Sequence, residues 1–323
     1  MTTSRRKYLA LAACLSVAML AGCGGDRVAG GVGAVPASSA ATSGNLLYVA
    51  HLVGKYRDYR GVLSVLTFPD GKPVMTIALD GFVTAVCSDT SGNVWAVVAD
   101  GLHHWNAFEY PHGGTKPVAQ IHIPHPTYAD GCAVDPSTGN LAVVTGEFQG
   151  SGPGAHADVW AGARSGKPKM YTLGFSPSAC AYDDKGNLFV VGYIGDTVTF
   201  ELAELKHGAS SFTDISLYHR LGFYPGGVQW DGKYLAVAPG PVRNPPRIFR
   251  LRIEGSIAKV ADTVFLDHMY ALGPITVTNG TIAAVSGAQG HEVALWPYPS
   301  GGAPEKILLR SRLIIRGLAI SAP

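Results

Sequence analysis

Histidine, arginine, tyrosine and aspartate residues recur in the segments that separate the apolar runs of this 323-residue chain. Such side chains form charged hydrogen bonds and stack on ligands, so together they suit an anionic or sugar-like small molecule. The candidate ligand-binding residues are His51, Arg57, Tyr59, His104, Tyr128, Asp130, His156, Asp196, Tyr224, Arg243, His268, His291 and Arg316. The alternative explanation is that exposed loops are polar in any soluble protein.

Four of these histidines, His51, His156, His268 and His291, suggest a competing hypothesis. A metal held by them would make the protein a hydrolase or a lyase, provided that at least three of them point into one site. The sequence contains no Gly-rich phosphate loop, no nucleophile elbow and no Cys-x-x-Cys pair. We therefore favour a binding module without a metal or another cofactor and assign no catalytic residue.

An aspartate follows an apolar run once in each of four successive segments, at Asp89, Asp135, Asp183 and Asp231. A ring of carboxylates is one interpretation. A glycine or a short polar turn follows each aspartate, however, and an aspartate at such a place accepts hydrogen bonds from the backbone N–H groups of the turn. We predict the turn role for all four.

Three cysteines, Cys87, Cys132 and Cys180, lie in the apolar runs that precede these aspartates. Surrounding alanine and valine residues favour small buried side chains. The runs are expected to belong to separate sheets, where the short Cα separation of a disulfide is difficult to achieve. We predict three free, buried thiols.

The pattern of an apolar run, a tight turn and a second apolar run repeats along the chain. Equivalent turn residues at Asn45, Asn93, Asn140 and Asn187 are 48, 47 and 47 residues apart, and Gly232 and Gly280 follow after 45 and 48 more. Further apolar runs joined by Gly- and Pro-rich turns supply two outer strands per unit. A period near 47 residues with four strands per unit predicts an all-β, six-bladed β-propeller with four-stranded antiparallel blades.

The two ends of the repeat region are complementary. The chain enters the first unit on a second strand, Gly44–Ala50, and finishes on a first strand, Gly317–Ser321. We predict that the C-terminal strand joins the N-terminal blade, because closure removes the free edges that an open array would expose. An open solenoid is the rival architecture.

The strings Gly44-Asn-Leu-Leu-Tyr-Val-Ala50 and Gly186-Asn-Leu-Phe-Val-Val191 resemble the NHL and gluconolactonase-type six-bladed propellers. They are still more similar to bacterial repeat lipoproteins. The gluconolactonase resemblance implies a divalent metal bound by a Glu, two Asn and an Asp. This chain has His51 where the early Glu is expected, and Asn residues that would match Asp130 and Asp196 are missing.

The N-terminus has the features of a bacterial lipoprotein signal. A basic start at Ser4-Arg-Arg-Lys-Tyr-Leu9 precedes an apolar segment that is too short to span a bilayer. The tetrapeptide Leu20-Ala-Gly-Cys23 resembles a lipobox, which implies lipidation of Cys23. We predict a signal peptide over 1–22, a flexible Gly/Ala/Ser tether over 23–43 and the propeller over 44–323.

The formal net charge is +2, and removal of the signal peptide with its three basic residues leaves −1. This balance gives no electrostatic reason to expect nucleic-acid binding. We expect a monomer in the bacterial cell envelope that faces the periplasm or the exterior and is bound to the membrane through its lipid. Its loop face would bind a small molecule or a protein.

Overall fold

The repeat units fold into six separate sheets arranged as a ring, which confirms the six-bladed β-propeller. The computed structural model describes residues 43–54, 59–100, 104–124, 128–146, 154–194, 199–218, 221, 224–240, 247–267, 273–278, 280–286, 290–312 and 314–323. Within them no helix is long and apolar enough to cross a membrane.

In each blade the strands are ordered from the ring axis outwards, and the first strand of the blade is the innermost. Blades 1 to 3 consist, from the axis outwards, of β25 (Ile315–Ser321), β1 (Leu46–Val53), β2 (Arg60–Thr67) and β3 (Pro73–Ala78); β4 (Phe82–Ser88), β5 (Val94–Asp100), β6 (His104–Tyr110) and β7 (Ala119–Ile123); and β8 (Tyr128–Val134), β9 (Leu141–Gly146), β10 (His156–Trp160) and β11 (Lys169–Thr172).

Blades 4 to 6 follow the same order. They consist of β12 (Ser176–Tyr182), β13 (Leu188–Tyr193), β14 (Phe200–Leu205) and β15 (Thr213–Asp214); β17 (Pro225–Trp230), β18 (Leu235–Pro239), β19 (Arg247–Glu254) and β20 (Ile257–Phe265); and β21 (Ile275–Thr278), β22 (Thr281–Ser286), β23 (Glu292–Pro297) and β24 (Lys306–Arg310). A 3₁₀ turn over Ala161–Ala163 follows β10.

The C-terminal strand closes the ring as predicted. β25 pairs antiparallel with β1 from Leu46 opposite Ser321 to His51 opposite Ile315. Because blade 1 takes its innermost strand from one end of the chain and its other three from the opposite end, the ring has no open edge at the junction.

The core lies between the blades, in six apolar clusters that each combine residues of two neighbouring sheets. Second strands have a neighbouring blade on both faces. β1 and β5 are therefore buried along nearly their whole length, and the segments Leu46–Ala50 and Val94–Ala99 within them are continuous apolar runs without polar alternation.

The four repeated aspartates form the predicted turns. Asp89 Oδ1 accepts hydrogen bonds from the backbone N–H groups of Ser91 and Asn93, at 2.9 and 2.8 Å. Asp183 repeats this arrangement. Asp135 accepts a hydrogen bond from the backbone N–H two residues downstream. Asp231 accepts hydrogen bonds from the backbone N–H groups two and three residues downstream. The turn role is confirmed at all four positions.

Two features differ from the prediction. Blade 5 has a fifth strand, β16 (Ser216–Leu217), which pairs parallel with the outer edge of β20. In blade 3 the third strand begins at His156, in a segment expected to be a loop, and ends where Ala161–Ala163 turns. Both differences lie in outer strands, where the sequence repeat is weakest.

Candidate functional site

A central channel of about 750 Å³ runs along the ring axis between the six innermost strands. Tyr128 and Tyr224 line it on the side where the chain enters these strands. Asp184 and Trp230 line it at the opposite end, at the turns that leave them. The indole N–H of Trp230 donates to Asp184 at 2.9 Å, so these two groups are paired with each other.

A β-bulge recurs at the same level in the innermost strands. Pairing with the second strand shifts by one residue in β4, β8, β12, β17 and β25, which leaves one residue per strand outside the ladder. Such a bulge redirects the side chain of its extra residue. The extra residues are Thr84, Asp130, Ser178, Gly226 and Arg316, and all of them line the channel.

In blade 6, Pro274 lies next to the first residue of β21 and lines the channel at the equivalent place. We call these six residues the bulge ring. In blade order it runs Arg316, Thr84, Asp130, Ser178, Gly226, Pro274. Polar side chains therefore occupy four consecutive blades, which we call the polar arc, and the other two blades offer only a glycine and a proline.

Asp130 and Arg316 carry opposite charges in this ring on either side of Thr84. Their charges act on each other, yet within the described residues no hydrogen bond or ion pair joins them. The Arg316 Nε and the Thr84 hydroxyl are buried without hydrogen-bond partners among those residues. The Arg316 guanidinium lies 5.3 Å from the ring centroid of Phe82 and makes a cation–π contact with it.

Asp130 is an exposed residue that faces the channel inside the ring of innermost strands. Desolvation raises its pKa to about 7, although the Arg316 charge acts in the opposite direction. Asp130 can therefore donate or accept a hydrogen bond near neutral pH. A ligand that contains both acceptor and donor groups could satisfy Arg316, Thr84 and Asp130 together.

Two tyrosines, Tyr128 and Tyr224, line the channel entrance beside the bulge ring, and a third, Tyr193, packs against Tyr224. Tyr193 and Tyr224 contact each other edge to face at 4.9 Å between ring centroids. Tyr128 lies 5.8 Å from Trp105, also edge to face. Burial raises the pKa of Tyr128, and the charge of Asp130 adds to this effect. The tyrosines supply aromatic surface and hydroxyl groups next to the polar arc.

The structure brings together four of the predicted ligand-binding residues, namely Tyr128, Asp130, Tyr224 and Arg316, which line the channel. Five others are described but do not line it: His51, Tyr59, His104, His156 and His291. The remaining predicted residues, Arg57, Asp196, Arg243 and His268, lie outside the described residues, as does Cys23.

His51 and His156 were predicted to lie in loops, but both lie within strands and are nearly buried. His51 Nε2 is 2.8 Å from the Ser64 hydroxyl, and desolvation lowers its pKa. His156 donates from Nδ1 to the Gly154 carbonyl at 2.7 Å and places Nε2 3.4 Å from the fully buried Asp158.

These placements bear on the metal hypothesis. His51, His156 and His291 do not line the channel, and the described residues contain no group of three His, Cys, Asp or Glu side chains able to hold a metal ion. Because His51 and His156 are held inside blades by their strands, the funnel site predicted from three histidines is not formed by the described ones.

The prediction of three free thiols is wrong for two of them. Cys87 and Cys132 form a disulfide between blades 2 and 3, with Cα atoms 5.8 Å apart. Cys87 lies two residues before its turn aspartate and Cys132 lies three before its own. Since side chains alternate along a strand, the two cysteines point in opposite directions around the ring and meet between the blades.

Cys180 is free and buried, as predicted. It has the same position relative to its turn as Cys132, so it faces the apolar cluster between blades 3 and 4. Desolvation raises the pKa of this thiol to about 12, which keeps it protonated and unreactive at neutral pH.

Thr84 and Ser178 line the channel but were not predicted. A signal for both was present in the sequence. Thr84, Asp130, Ser178, Gly226 and Pro274 are 46, 48, 48 and 48 residues apart, so they repeat with nearly the period of the blades. Of the five bulge residues, all except Gly226 are polar, and the next residue in the sequence is alanine or glycine in each case.

No family model matches this chain, and no curated protein matches its sequence. Solved structures resemble it in fold. A chain in the outer coat vertex of COPII on membranes is 12% identical, with a TM-score of 0.53, over 80% of this chain and 70% of that chain. Hydrazine synthase of Kuenenia stuttgartiensis is 15% identical, with a TM-score of 0.50, over 70% of this chain.

The present chain spans 65% of the length of that hydrazine synthase chain, less than two thirds. Apo AztD from Citrobacter koseri is 11% identical, with a TM-score of 0.47, over 85% of this chain and 97% of that chain. At such identities a structural likeness shows the fold alone, because propellers carry unrelated functions.

Proposed function

We propose that this protein is a ligand-binding module of the bacterial cell envelope that holds a small polar molecule in the propeller channel. The observation that carries this proposal is the polar arc. Asp130 and Arg316 face one channel without contacting each other, and buried Thr84 lies between them without a hydrogen-bond partner among the described residues. A buried polar group without a partner is costly, and a bound ligand would remove that cost.

The channel itself supports a small ligand. Its volume of about 750 Å³ lies within the roughly 300–1,000 Å³ of ordinary ligand pockets. The channel walls are strands from the six sheets of a closed ring. Strands position side chains more rigidly than loops do.

The anchor is proposed from the sequence. The basic start, the apolar segment and the lipobox-like tetrapeptide ending at Cys23 support export and lipidation. The disulfide between Cys87 and Cys132 is independent support for an oxidising compartment, since such bonds are rare in the bacterial cytosol.

A thermal-shift screen tests the binding proposal. All six blades form between Leu46 and Ser321, so a domain that starts at Gly44 contains the whole ring. We expect at least one metabolite or oligosaccharide to raise the unfolding temperature of this domain and to have no effect on the D130N/R316Q double variant. R310Q is the matched control, because Arg310 is exposed and pairs with Glu292 outside the channel. A hit unaffected by the double variant would contradict the proposed site.

Membrane fractionation tests the anchor. In the native host, full-length protein should label with palmitate and sediment with membranes, and C23S should lose the label. Labelling of C23S at the level of the unaltered protein would overturn the anchor proposal and leave the channel proposal standing.

A further inference from the structure

The bulge ring is chemically asymmetric, and this asymmetry indicates the class of ligand. Four consecutive blades present Arg316, Thr84, Asp130 and Ser178, and the remaining two present Gly226 and Pro274. At the level of the bulge ring, a molecule in the channel therefore meets hydrogen-bonding side chains along one edge and a glycine and a proline along the other.

The polar arc combines one permanent cation with groups that both donate and accept. Arg316 recognises a planar carboxylate through paired N–H groups. The hydroxyls of Thr84 and Ser178 and the Asp130 carboxyl can each exchange donor and acceptor roles. Together these groups complement a molecule that carries a carboxylate next to several hydroxyl groups.

The aromatic groups at the entrance place a second requirement on the ligand. Tyr128 and Tyr224 line the entrance on the side of blades 3 and 5, and Tyr193 of blade 4 packs against Tyr224. Their rings can pack against an apolar face while their hydroxyls reach polar groups. Sugar rings have both a hydroxyl-bearing edge and a C–H face.

Two other anionic classes fit less well. A phosphate ester favours several cations or a cluster of backbone N–H groups, whereas the bulge ring has one arginine with an aspartate two blades away. A free amino acid would occupy only a small part of a channel of about 750 Å³.

We propose that the channel binds a short acidic oligosaccharide, with the carboxylate of a uronic acid on Arg316 and its neighbouring hydroxyls on Thr84 and Asp130. This inference rests on the proposed function and narrows it to one ligand class. The proposed contacts come from adjacent blades, since Arg316 lies in β25 of blade 1 and Thr84 in β4 of blade 2.

Isothermal titration calorimetry with trigalacturonate and its methyl ester tests this proposal. The two probes differ in the charge of the carboxyl groups and share the sugar rings. We expect the acid to bind the Gly44–Pro323 domain about tenfold more tightly than the ester, as one charge-assisted contact provides. L-Glutamate is the third probe and should not bind.

Substitutions of Arg316 test whether this residue contacts the carboxylate of the ligand. R316Q should remove the preference for the acid, and R316K, which keeps the charge but loses the paired N–H groups, should retain only part of it. The R310Q control should bind as the unaltered domain does. Circular dichroism of each variant confirms that the ring is folded, and R316K keeps the test valid if R316Q does not fold.

The outcomes separate the two proposals. Equal affinity for acid and ester, a preference that survives R316Q, or binding of glutamate in place of the sugars would overturn the acidic-sugar inference. If neither sugar binds but the thermal-shift screen yields another ligand that depends on Asp130 and Arg316, this inference fails and the binding module stands. If both experiments find no ligand, both proposals fall.

Discussion

Asp130 and Arg316 occupy the same bulged position in the innermost strands of blades 3 and 1, two blades apart in the ring. A bulge leaves its residue outside the strand ladder, so each side chain faces the channel. Their blades hold them apart, and the two opposite charges face one cavity without a direct bond. The proposed function uses this relationship, and a prediction about the pH dependence of stability follows from it.

The first prediction concerns the pH dependence of stability at Asp130. The pKa of its carboxyl is raised to about 7 in the folded protein, whereas an unfolded chain has a pKa of roughly 4. The folded state therefore binds the proton more tightly, and the contribution of this group to the free energy of unfolding falls as pH rises from roughly 4 to 7. D130N, which cannot titrate, should gain stability relative to the unaltered protein over this range.

Guanidinium unfolding at pH 5 and pH 8 measures the effect. D80N is the control, because Asp80 is exposed in the turn before β4. Identical pH dependence in D130N and the unaltered protein would show that Asp130 is not desolvated in the channel.

The second prediction concerns the disulfide. The Cys87–Cys132 bond closes a loop with a sequence separation of 45, so its removal should cost about 2–5 kcal/mol. Reductant should destabilise the unaltered protein and C180A alike, and should not affect the C87A/C132A double variant. Thiol titration of the unfolded Gly44–Pro323 domain should give one reactive thiol before reduction and three after it. Three thiols before reduction would rule out the bond.

The third prediction concerns the polar contact between blades 5 and 6. Asp231 accepts hydrogen bonds from the Tyr298 hydroxyl at 2.6 Å and the Arg250 Nε at 2.7 Å. Desolvation acts to raise its pKa, but the bonds from Tyr298, Arg250 and the turn backbone together lower it. The stabilisation is therefore present above the ordinary aspartate pKa and is lost as pH falls through the lowered value.

D231N should lower the free energy of unfolding by about 2–3 kcal/mol at pH 7, because it removes the charge from a buried, hydrogen-bonded group. The loss should be smaller at pH 3. In the control D262N, the more exposed partner of Arg250 is changed, and the expected loss is about 1 kcal/mol or less. A D231N penalty that does not change with pH would argue against an ionised Asp231.

The fourth prediction concerns the small residues beside the bulges. A Cβ added at Gly317 would lie 2.6 Å from Val86 Cγ1 and 2.9 Å from the Val86 backbone nitrogen, across the junction of blades 1 and 2. G317A should therefore destabilise the protein by about 1–3 kcal/mol. At Gly174 an added Cβ meets nothing within 4 Å, and G174A should change stability by about 0.5 kcal/mol or less. Equal behaviour of the two variants would contradict the tight packing at this junction.

Much of the fold could be predicted from short-range patterns. The turn aspartates bind backbone groups within four residues, so their role follows from local sequence. The run from Leu46 to Ala50 and its counterpart at Gly317–Ser321 are each half of a repeat unit, which predicted the pairing of β25 with β1. His156 was placed in a loop because its segment is rich in glycine, yet strand pairing with β9 includes it.

The candidate site was predicted only in part. Asp130 and Arg316 were selected because their segments were expected to be polar loops at the mouth of the channel, whereas both residues lie within innermost strands, β8 and β25. Thr84 and Ser178 were missed because a hydroxyl residue in a strand is unremarkable until the ladder shift at that residue is known. The cysteines were assigned incorrectly although their one-residue difference in phase is visible in the sequence, because its consequence appears only when two blades face each other.

The sequence by itself determined the number of blades, the turns and the way in which the ring closes. These features depend on the repeat period and on contacts between residues that are close in the chain. Only the tertiary structure decided which side chains share the channel and which cysteines bond. Both depend on the direction that a side chain takes from its own strand towards another blade. A single β-bulge changes that direction, and the short sequence pattern at the bulges can be interpreted only when the pairing of the strands is known.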